Sequence, residues 1–367
     1  MTRRLQSGRA RSLPCDRAAA LLLAVAATAG ALLTCEVVFR RFLVRPAVPT
    51  TEDGFRSQIA SSWLNPIPIE RREGRLRIVG LADSFGRAGE LRNYHYLLEE
   101  KLRARGVPAE VVNVSAAAFE PVDELPALTR FGLRYRPDIV LHGFFVGNDF
   151  STPRGTLVEF RGILMRELPG MASWLPHRLL LVKWVHHYAF AVLDALRRRL
   201  ETAQLGGLAF AAQAGGADTG TFSETEFLRI ERERLEICRR RTATVWMAEP
   251  ALAILDDIRR ATEQAGARYV LVIHPDQLQV EEPLRRRIAA TFDVDVARDY
   301  DLTAPQNALL AYCASRQIPC LDLLPTFQAT GADGGLYRLR DTHYSDAGNE
   351  RAAEAIHGFL REQRLTP

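Results

Sequence analysis

Two residues near the end of the chain, an acid and a base two positions apart, are of types that could share a proton. Asp341 and His343 stand in the run Leu339-Arg340-Asp341-Thr342-His343, on a loop before the last predicted helix. A histidine in such a pair can take the proton of a serine hydroxyl while the aspartate holds the imidazole in one tautomer. The alternative is a surface loop in which Ser345 or Asp346 caps the helix, and the spacing favours the catalytic interpretation.

A serine that could use this pair lies far upstream. Ser84 follows the apolar run Leu76–Leu81 through the short turn Ala82-Asp83, where a strand is predicted to give way to a helix. A serine in this position lies at the carboxyl edge of a sheet, where ligands bind in open α/β folds, and its own N–H can stabilise an anion. The alternative is that Ser84 is an ordinary helix N-cap.

A third polar segment, Gly147-Asn148-Asp149, follows the apolar run Ile139–Phe145. An asparagine amide at a sheet edge can donate a hydrogen bond to a developing oxyanion. The same three residues are also typical of a plain turn, so this segment alone leaves both interpretations open.

These three segments require a scaffold that brings strand ends together. Apolar runs alternate with amphipathic runs through residues 76–150 and again through 244–367, which predicts a three-layer α/β/α sandwich with a parallel, flavodoxin-like sheet. The carboxyl ends of parallel strands meet at one edge, so the three segments should come together. Residues 151–243 interrupt the alternation and are predicted to form a helical insertion or cap, with a mobile loop at Gly206–Gly220.

The three segments, in this order, resemble the sequence blocks of the SGNH/GDSL hydrolase superfamily. The Gly-Asp-Ser-Phe block corresponds to Ala82–Phe85, the Gly-x-Asn-Asp block to Gly147–Asp149, and the Asp-x-His block to Asp341–His343. The resemblance covers residues 76–150 and 244–367. It implies Ser84 as nucleophile, His343 as base and Asp341 as the residue that orients the base. It also implies an oxyanion hole formed by Ser84, Ser115 and Asn148, with no metal and no cofactor.

Two positions depart from the family pattern. Ala82 stands where the first block has glycine, and the second block, usually Asn-x-Gly-x-x-Gly, runs from Asn113 to Ala118 with Ser115 at the first glycine position. Ser115 keeps its N–H, so the donor survives if the backbone path does. If the position requires a left-handed conformation, a side chain there costs roughly 1–2 kcal/mol. A misplaced oxyanion donor lowers turnover roughly 100- to 1000-fold.

The N-terminal part of the chain has the composition of a membrane anchor. Residues Ala18–Cys35 are uncharged and the apolar character resumes from Glu36 to Phe39, a length that can span a bilayer core of about 30 Å. Five arginines precede this run and three follow it, which predicts a single pass of the bacterial inner membrane with the body periplasmic or extracellular. A signal peptide cleaved at Ala29 and a lipoprotein site at Cys35 are alternatives that also export the body.

Charge excludes one class of partner. The chain carries a formal net charge of +4, of which residues 1–45, the predicted tail and anchor, contribute +6, so the remainder carries −2. A near-neutral body has no basic surface for nucleic acid. No cysteine or histidine spacing resembles a zinc site. The proline-containing residues 46–75 are predicted to be a linker between the anchor and the hydrolase domain.

The leading hypothesis is therefore a membrane-anchored serine esterase that forms an acyl-enzyme at Ser84. The compartment and the family resemblance imply acyl groups, such as acetyl, on envelope or secreted glycans as the substrate. An O-acyltransferase would use the same triad, because water and a sugar hydroxyl attack the same intermediate. An alternative from another class is a catalytically silent glycan-binding or scaffold protein, which is suggested by Ala82 and Ser115.

Overall fold

The computed structural model of the chain describes most of its residues. The described stretches are 14–46, 67–87, 92–150, 156–160, 163–167, 179–185, 220–240, 244–331 and 334–366. The chain divides into two compact units. One unit comprises residues 48–153 and 208–367, and the other comprises residues 1–47 and 154–207.

The described residues contain eight strands, which belong to two sheets. In chain order they are β1 Arg45–Pro46, β2 Leu76–Leu81, β3 Ala109–Asn113, β4 Ile139–Phe145, β5 Thr156–Phe160, β6 Ile163–Glu167, β7 Arg268–His274 and β8 Cys320–Asp322.

The larger sheet has the strand order β3-β2-β4-β7-β8, and every neighbouring pair in it is parallel. Val79 of β2 lies opposite Val112 on one side and Val140 on the other. Strand β4 is buried at every position, and β7 is buried at all but its first residue, Arg268. Continuous apolar runs of this kind form strands that are covered on both faces, which is why the sequence predicts them.

Helices follow most of the strands. In chain order the helices are α1 Pro14–Val38, α2 Tyr94–Ala104, α3 Pro121–Arg130, α4 at 180–185, α5 Glu224–Arg234, α6 Thr244–Gln264, α7 Gln277–Val280, α8 Glu282–Phe292, α9 Val296–Asp299, α10 Ala304–Arg316, α11 Leu324–Gly331 and α12 Asp346–Glu362. Short 3₁₀ turns occupy Gly132–Tyr135 and Leu235–Cys238, and a π-helical turn, Phe39–Leu43, continues α1.

Each face of the parallel sheet carries its own hydrophobic core. Successive side chains of a strand point to opposite faces, so neighbours on β2 enter different cores. Ile78 packs in a core with residues of α2, α11 and α12, such as Ile356. Val79 packs in the other core with residues of α3, α6 and α10, such as Leu128 and Leu309. The predicted three-layer α/β/α sandwich with a parallel sheet is confirmed.

The second unit is built around a buried carboxylate. Strands β1, β5 and β6 form an antiparallel sheet in this unit. Glu36, near the end of α1, is fully buried, and its carboxylate accepts the N–H groups of Leu180 and Leu181, each at 2.8 Å. Arg40 donates its Nε–H to the same carboxylate at 2.5 Å. The first N–H groups of α4, which have no acceptor within the helix, are therefore satisfied by a side chain of α1.

The helical insertion predicted over 151–243 is corrected in part. Strands β5 and β6 form an antiparallel hairpin inside it. The β5 run contains the β-branched residues Thr156 and Val158 and ends in Phe160, and the two residues between the strands end in glycine, which is a hairpin signal. The segment Glu224–Arg234 forms a helix, α5, as predicted, but this helix belongs to the unit that holds the parallel sheet.

Two other segments with predicted features lie largely outside the described residues. The mobile loop predicted at Gly206–Gly220 lies outside the described residues except for Gly220, and so do residues 47–66 of the predicted linker. The cap function predicted for 151–243 stays a prediction.

One helix in the described residues is long and apolar enough to cross a membrane. It covers Ala19–Leu43, with a mean hydropathy of 2.1, and little of it is buried by the rest of the protein. The segment can serve as a membrane anchor or as a signal sequence. The residues before Pro14, which belong to the predicted cytoplasmic tail, lie outside the described residues.

Candidate active site

Ser84 lies directly after β2, in the turn that leaves the carboxyl edge of the parallel sheet. Asp83 stabilises this turn, because its Oδ1 accepts the Phe85 N–H at 2.8 Å. Within the described stretches, no acceptor engages the Ser84 N–H. The nucleophile candidate therefore offers both its hydroxyl and an unengaged backbone donor at the same point.

The loop that carries Asp341 and His343 reaches Ser84 from the far end of the chain. Ser84 Oγ lies 2.8 Å from His343 Nε2, and His343 Nδ1 lies 2.6 Å from Asp341 Oδ1. This network assigns one tautomer, in which Nδ1–H donates to Asp341 and Nε2 accepts the Ser84 hydroxyl. Both distances lie in the range expected of a nucleophile, its base and the residue that orients the base.

The carboxylate of Asp341 has hydrogen bonds on both oxygens. Oδ1 also accepts the backbone N–H of His343 at 3.2 Å, and Oδ2 accepts the Thr221 hydroxyl at 2.6 Å. Burial acts to raise the pKa of Asp341, but hydrogen bonds from His343 and Thr221 outweigh burial and lower the pKa to about 2. Asp341 is therefore ionised at neutral pH and can stabilise an imidazolium on His343.

Asn148 lies in the turn after β4, beside the Ser84 turn. Its Nδ2 donates a hydrogen bond to Asp83 Oδ2 at 3.3 Å, which occupies one of the two amide hydrogens. Burial raises the pKa of Asp83 to about 6, partly opposed by the hydrogen bond from Phe85. Asp83 thus holds two parts of the site together, the Ser84 turn through one oxygen and the Asn148 amide through the other.

In the structure a side chain of its own loop engages the backbone N–H of Ser115, one of the donors predicted for the oxyanion hole. The Ser115 N–H donates to Asn113 Oδ1 at 3.0 Å, so this donor is engaged within its own loop after β3. Ser115 does not have a positive φ; the left-handed residue of the segment is Ala118, with φ 59°. The backbone strain predicted for the first glycine position of the block therefore occurs at the last one instead.

The methyl group of Ala82, the other departure from the family pattern, is accommodated by facing glycines. Ala82 is fully buried. A Cβ added to Gly86 would lie 2.7 Å from the Ala82 Cβ, and a Cβ added to Gly143 would lie 3.2 Å from it. The alanine fills space that these two glycines leave open, and the contact between Ser84 and His343 is formed in its presence.

Buried polar side chains also surround the Ser84 turn. The sequence does not identify them as a group. The Cβ position of Gly143 would also lie 2.7 Å from the Tyr94 hydroxyl and 2.8 Å from His274 Nε2. His274 Nδ1 is 3.2 Å from the Tyr344 hydroxyl. Burial lowers the pKa of His274 to about 3, so it is a neutral buried residue at physiological pH.

The structure brings four predicted residues of the site to one edge of the sheet. Hydrogen bonds join Asp341, His343 and Ser84, and Asn148 bonds Asp83 beside Ser84, whereas the N–H of Ser115 faces its own loop. Within the described residues, no group of three or more His, Cys, Asp or Glu side chains is arranged to hold a metal ion. The arrangement can activate a hydroxyl and stabilise a developing oxyanion.

Comparison of the sequence with protein families gives a match in the C-terminal part of the chain. A family described as "SGNH hydrolase-like domain, acetyltransferase AlgX" matches residues 240–367, about a third of the chain. The match includes Asp341 and His343, whereas Ser84 and Asn148 lie before it. A comparison with curated proteins gave no match.

Solved structures that resemble the chain include an acetyl xylan esterase, AlAXEase, with 14% identity, a TM-score of 0.42, and coverage of 77% of this chain and 98% of that one. The lipase/acylhydrolase from Enterococcus faecalis has 13% identity and a TM-score of 0.39, covering 78% and 96%. The psychrotrophic esterase EstA from Pseudoalteromonas sp. has 11% identity and a TM-score of 0.37, covering 79% and 98%. All three TM-scores are below 0.5, so these likenesses carry no argument about the site.

Three features of the chain agree with the resemblance to SGNH hydrolases. The parallel sheet has helices on both faces, the Ser84 and Asn148 turns lie at its carboxyl edge, and the C-terminal third, which holds Asp341 and His343, matches an SGNH hydrolase-like domain. The fold and the family match therefore support the resemblance of the chain to the SGNH/GDSL hydrolase superfamily.

Proposed function

We propose that the chain is a serine ester hydrolase that works through an acyl-enzyme on Ser84. The observation that carries the proposal is the hydrogen-bonded series from Asp341 through His343 to Ser84, with contacts of 2.6 and 2.8 Å. A serine hydroxyl is a weak nucleophile at neutral pH, and an adjacent oriented base is what activates it.

In the proposed acylation step, Ser84 Oγ attacks the ester carbonyl carbon while its proton passes to His343 Nε2. The carbonyl oxygen takes up negative charge, which the Ser84 N–H and the Asn148 amide stabilise. His343 then gives the proton to the leaving alkoxide oxygen as the C–O bond breaks. In deacylation, His343 takes a proton from water, the hydroxide attacks the acyl carbon, and Ser84 recovers its proton as the acid product leaves.

The N-terminal helix supports a location for this activity outside the cytoplasm. The span Ala19–Leu43 and the excess of arginines before it favour a single pass of the inner membrane with the catalytic unit in the periplasm. Acyl groups on envelope or secreted glycans are the proposed substrate in that compartment. Alkaline phosphatase fused after Pro367 should be active in intact bacteria, and an inactive, stably produced fusion would contradict the orientation.

Acyl transfer to a sugar is the second candidate function, and the family match favours it. The matching family is described as an acetyltransferase. The same acyl-enzyme serves both reactions, because either water or a sugar hydroxyl can attack the acyl carbon. With p-nitrophenyl acetate as donor and neutral oligosaccharides as acceptor, a hydrolase releases acetate at the rate of p-nitrophenol. A transferase diverts acetyl groups to the sugar, which mass spectrometry detects.

The nucleophile is tested with a fluorophosphonate probe on the full-length protein in detergent. The probe should label a single serine hydroxyl in the wild-type protein. Ser84→Ala should abolish this labelling, because no other hydroxyl contacts His343 Nε2 in the described residues. Ser315→Ala is the matched control. It removes a serine hydroxyl that donates to the Tyr312 carbonyl and accepts from Arg316 at the end of α10, so labelling should be unchanged.

Labelling that persists in Ser84→Ala would show that another residue is the nucleophile. A folded wild type that takes up no probe would overturn the hydrolase and transferase proposals together and favour the catalytically silent glycan-binding alternative. Thermal unfolding of each variant, followed by intrinsic fluorescence, separates loss of reactivity from loss of fold.

A further inference from the structure

Three consecutive residues outside the family match, Gly220–Phe222, lie along the loop that carries the acid and the base. We call them the strap. The Phe222 N–H donates to the Arg340 carbonyl at 3.0 Å, and the Thr221 hydroxyl donates to Asp341 Oδ2 at 2.6 Å. A Cβ added to Gly220 would come within 2.7 Å of the Leu339 carbonyl oxygen, so the strap and the loop are in close contact at that point.

The strap is itself fixed in place from the other side. The Phe222 side chain packs against a separate hydrophobic core formed by α5, α7 and α8, with Phe227, Leu278 and Leu284 among its members. Ser223 caps α5 by accepting the Glu226 N–H. The strap is therefore held by the packing of Phe222 and the start of α5 as well as by its contacts with the loop.

The loop under the strap has a strained backbone. Arg340 has φ 46°, a left-handed conformation that costs a side-chain-bearing residue free energy. The loop is closed by hydrogen bonds from the Arg338 N–H to the His343 carbonyl at 3.0 Å and from the Asp341 N–H to the Arg338 carbonyl at 3.3 Å. Strain of this kind persists where surrounding contacts hold it, and the strap supplies two such contacts.

We propose that Thr221 is a positioning residue for the catalytic pair and fixes the rotation of the Asp341 carboxylate so that Oδ1 faces His343. The inference rests on the proposed function and adds a residue to it that no sequence block contains. Without the Thr221 hydroxyl, Oδ2 loses its only protein donor among the described residues. The carboxylate can then rotate, and the His343 ring loses its fixed orientation toward Ser84.

The proposal predicts a difference between two substitutions of nearly equal size. Thr221→Val keeps the shape of the side chain and removes the hydroxyl, whereas Thr221→Ser keeps the hydroxyl. Thr221 is otherwise exposed, so neither change disturbs a core. Thr129→Val is the matched control, because the Thr129 hydroxyl bonds only carbonyls of its own helix.

The first measurement is kinetic and uses the full-length protein in detergent. In Thr221→Val the rate of fluorophosphonate labelling and kcat for p-nitrophenyl acetate should fall about tenfold with KM unchanged, the effect of weakening one charge-assisted hydrogen bond in the transition state. Thr221→Ser should return to within about threefold of wild type, and Thr129→Val should match wild type. Thr221→Val at the wild-type rate, or Thr221→Ser as slow as Thr221→Val, would overturn the proposal.

The second measurement does not depend on activity and separates this proposal from the proposed function. The His343 Nδ1 proton, bonded to Asp341, should give a downfield NMR resonance in wild type and Thr221→Ser that is broadened or shifted in Thr221→Val. If wild type takes up no probe, the hydrolase proposal fails while this resonance still tests the positioning role. An identical resonance in all three proteins would overturn the role of Thr221.

Discussion

The Asn148 side chain offers the most direct test of how the site stabilises charge. Three oxyanion donors are implied by the family resemblance, but the Ser115 N–H is engaged by Asn113. Two donors then remain, the Ser84 N–H and the Asn148 amide. Removing one preorganised donor costs roughly 100- to 1000-fold in turnover, which corresponds to about 3–4 kcal/mol in the transition state. Asn148→Ala should fall in this range, because the Ser84 N–H is then the one assigned donor left to share the charge.

The change is measured as the second-order rate of fluorophosphonate labelling and as kcat/KM for p-nitrophenyl acetate. Both reactions build negative charge on an oxygen that the site must stabilise. Asn307→Ala is the matched control, because the Asn307 amide is exposed and bonds only Thr303 within α10 and its cap. It should leave both rates unchanged. The fold of Asn148→Ala is checked by thermal unfolding, since Asp83 loses one hydrogen bond in this variant.

A folded Asn148→Ala protein that reacts within threefold of wild type would refute the reasoning. Such a result would mean that the oxyanion is stabilised by other donors and that Asn148 only completes the turn after β4. A full loss of reactivity, far beyond 1000-fold, would also contradict the assignment, because the Ser84 N–H should still stabilise part of the charge.

Two further predictions concern strain and protonation. Ala118→Gly relieves a left-handed residue that is exposed, so the free energy of unfolding should rise by about 0.5–1 kcal/mol in urea titrations. Ala117→Gly, without a positive φ, should lower it by a similar amount, and equal effects of the two changes would contradict the strain at Ala118. The pKa of Asp341 is lowered to about 2, so its stabilising contribution is present above pH 4 and is lost as the pH falls through 2. The free energy of unfolding of wild type, relative to that of Asp341→Asn, should therefore fall by about 2 kcal/mol over that interval. A difference between the two proteins that stays constant across pH 2–5 would show that the ionised carboxylate does not stabilise the fold.

The sequence was sufficient for most of the sheet because strand and helix runs alternate in it with clear boundaries. Strands β2, β4 and β7 are buried over five or more residues, and each ends at a short polar turn. Ser84 and Asn148 fall at the turns after β2 and β4, and parallel pairing brings these turns to one edge. The contacts of Ser84, Asp341 and His343 follow from this topology together with the spacing of the last block.

Other features could not be read from the sequence for specific physical reasons. The β5–β6 hairpin stands among helical segments, and its signal is only two short runs around a connection that contains glycine. The engagement of the Ser115 N–H depends on which way the Asn113 side chain turns, a rotamer choice that no spacing encodes. Thr221 acts across 120 residues of chain on Asp341, and nothing near it in sequence resembles a block.

The buried Glu36 carries a consequence for the biogenesis of the protein. Its partners Leu180 and Leu181 are 144 and 145 residues further along the chain, so they do not yet exist when Glu36 leaves the ribosome. At about 5–20 residues per second, synthesis reaches them roughly 7–30 seconds later. During that interval Arg40, one helical turn away, is the partner of Glu36 that has already been synthesised. The order of translation therefore lets the Glu36–Arg40 pair form first, and the docking of α4 onto the same carboxylate is a later step.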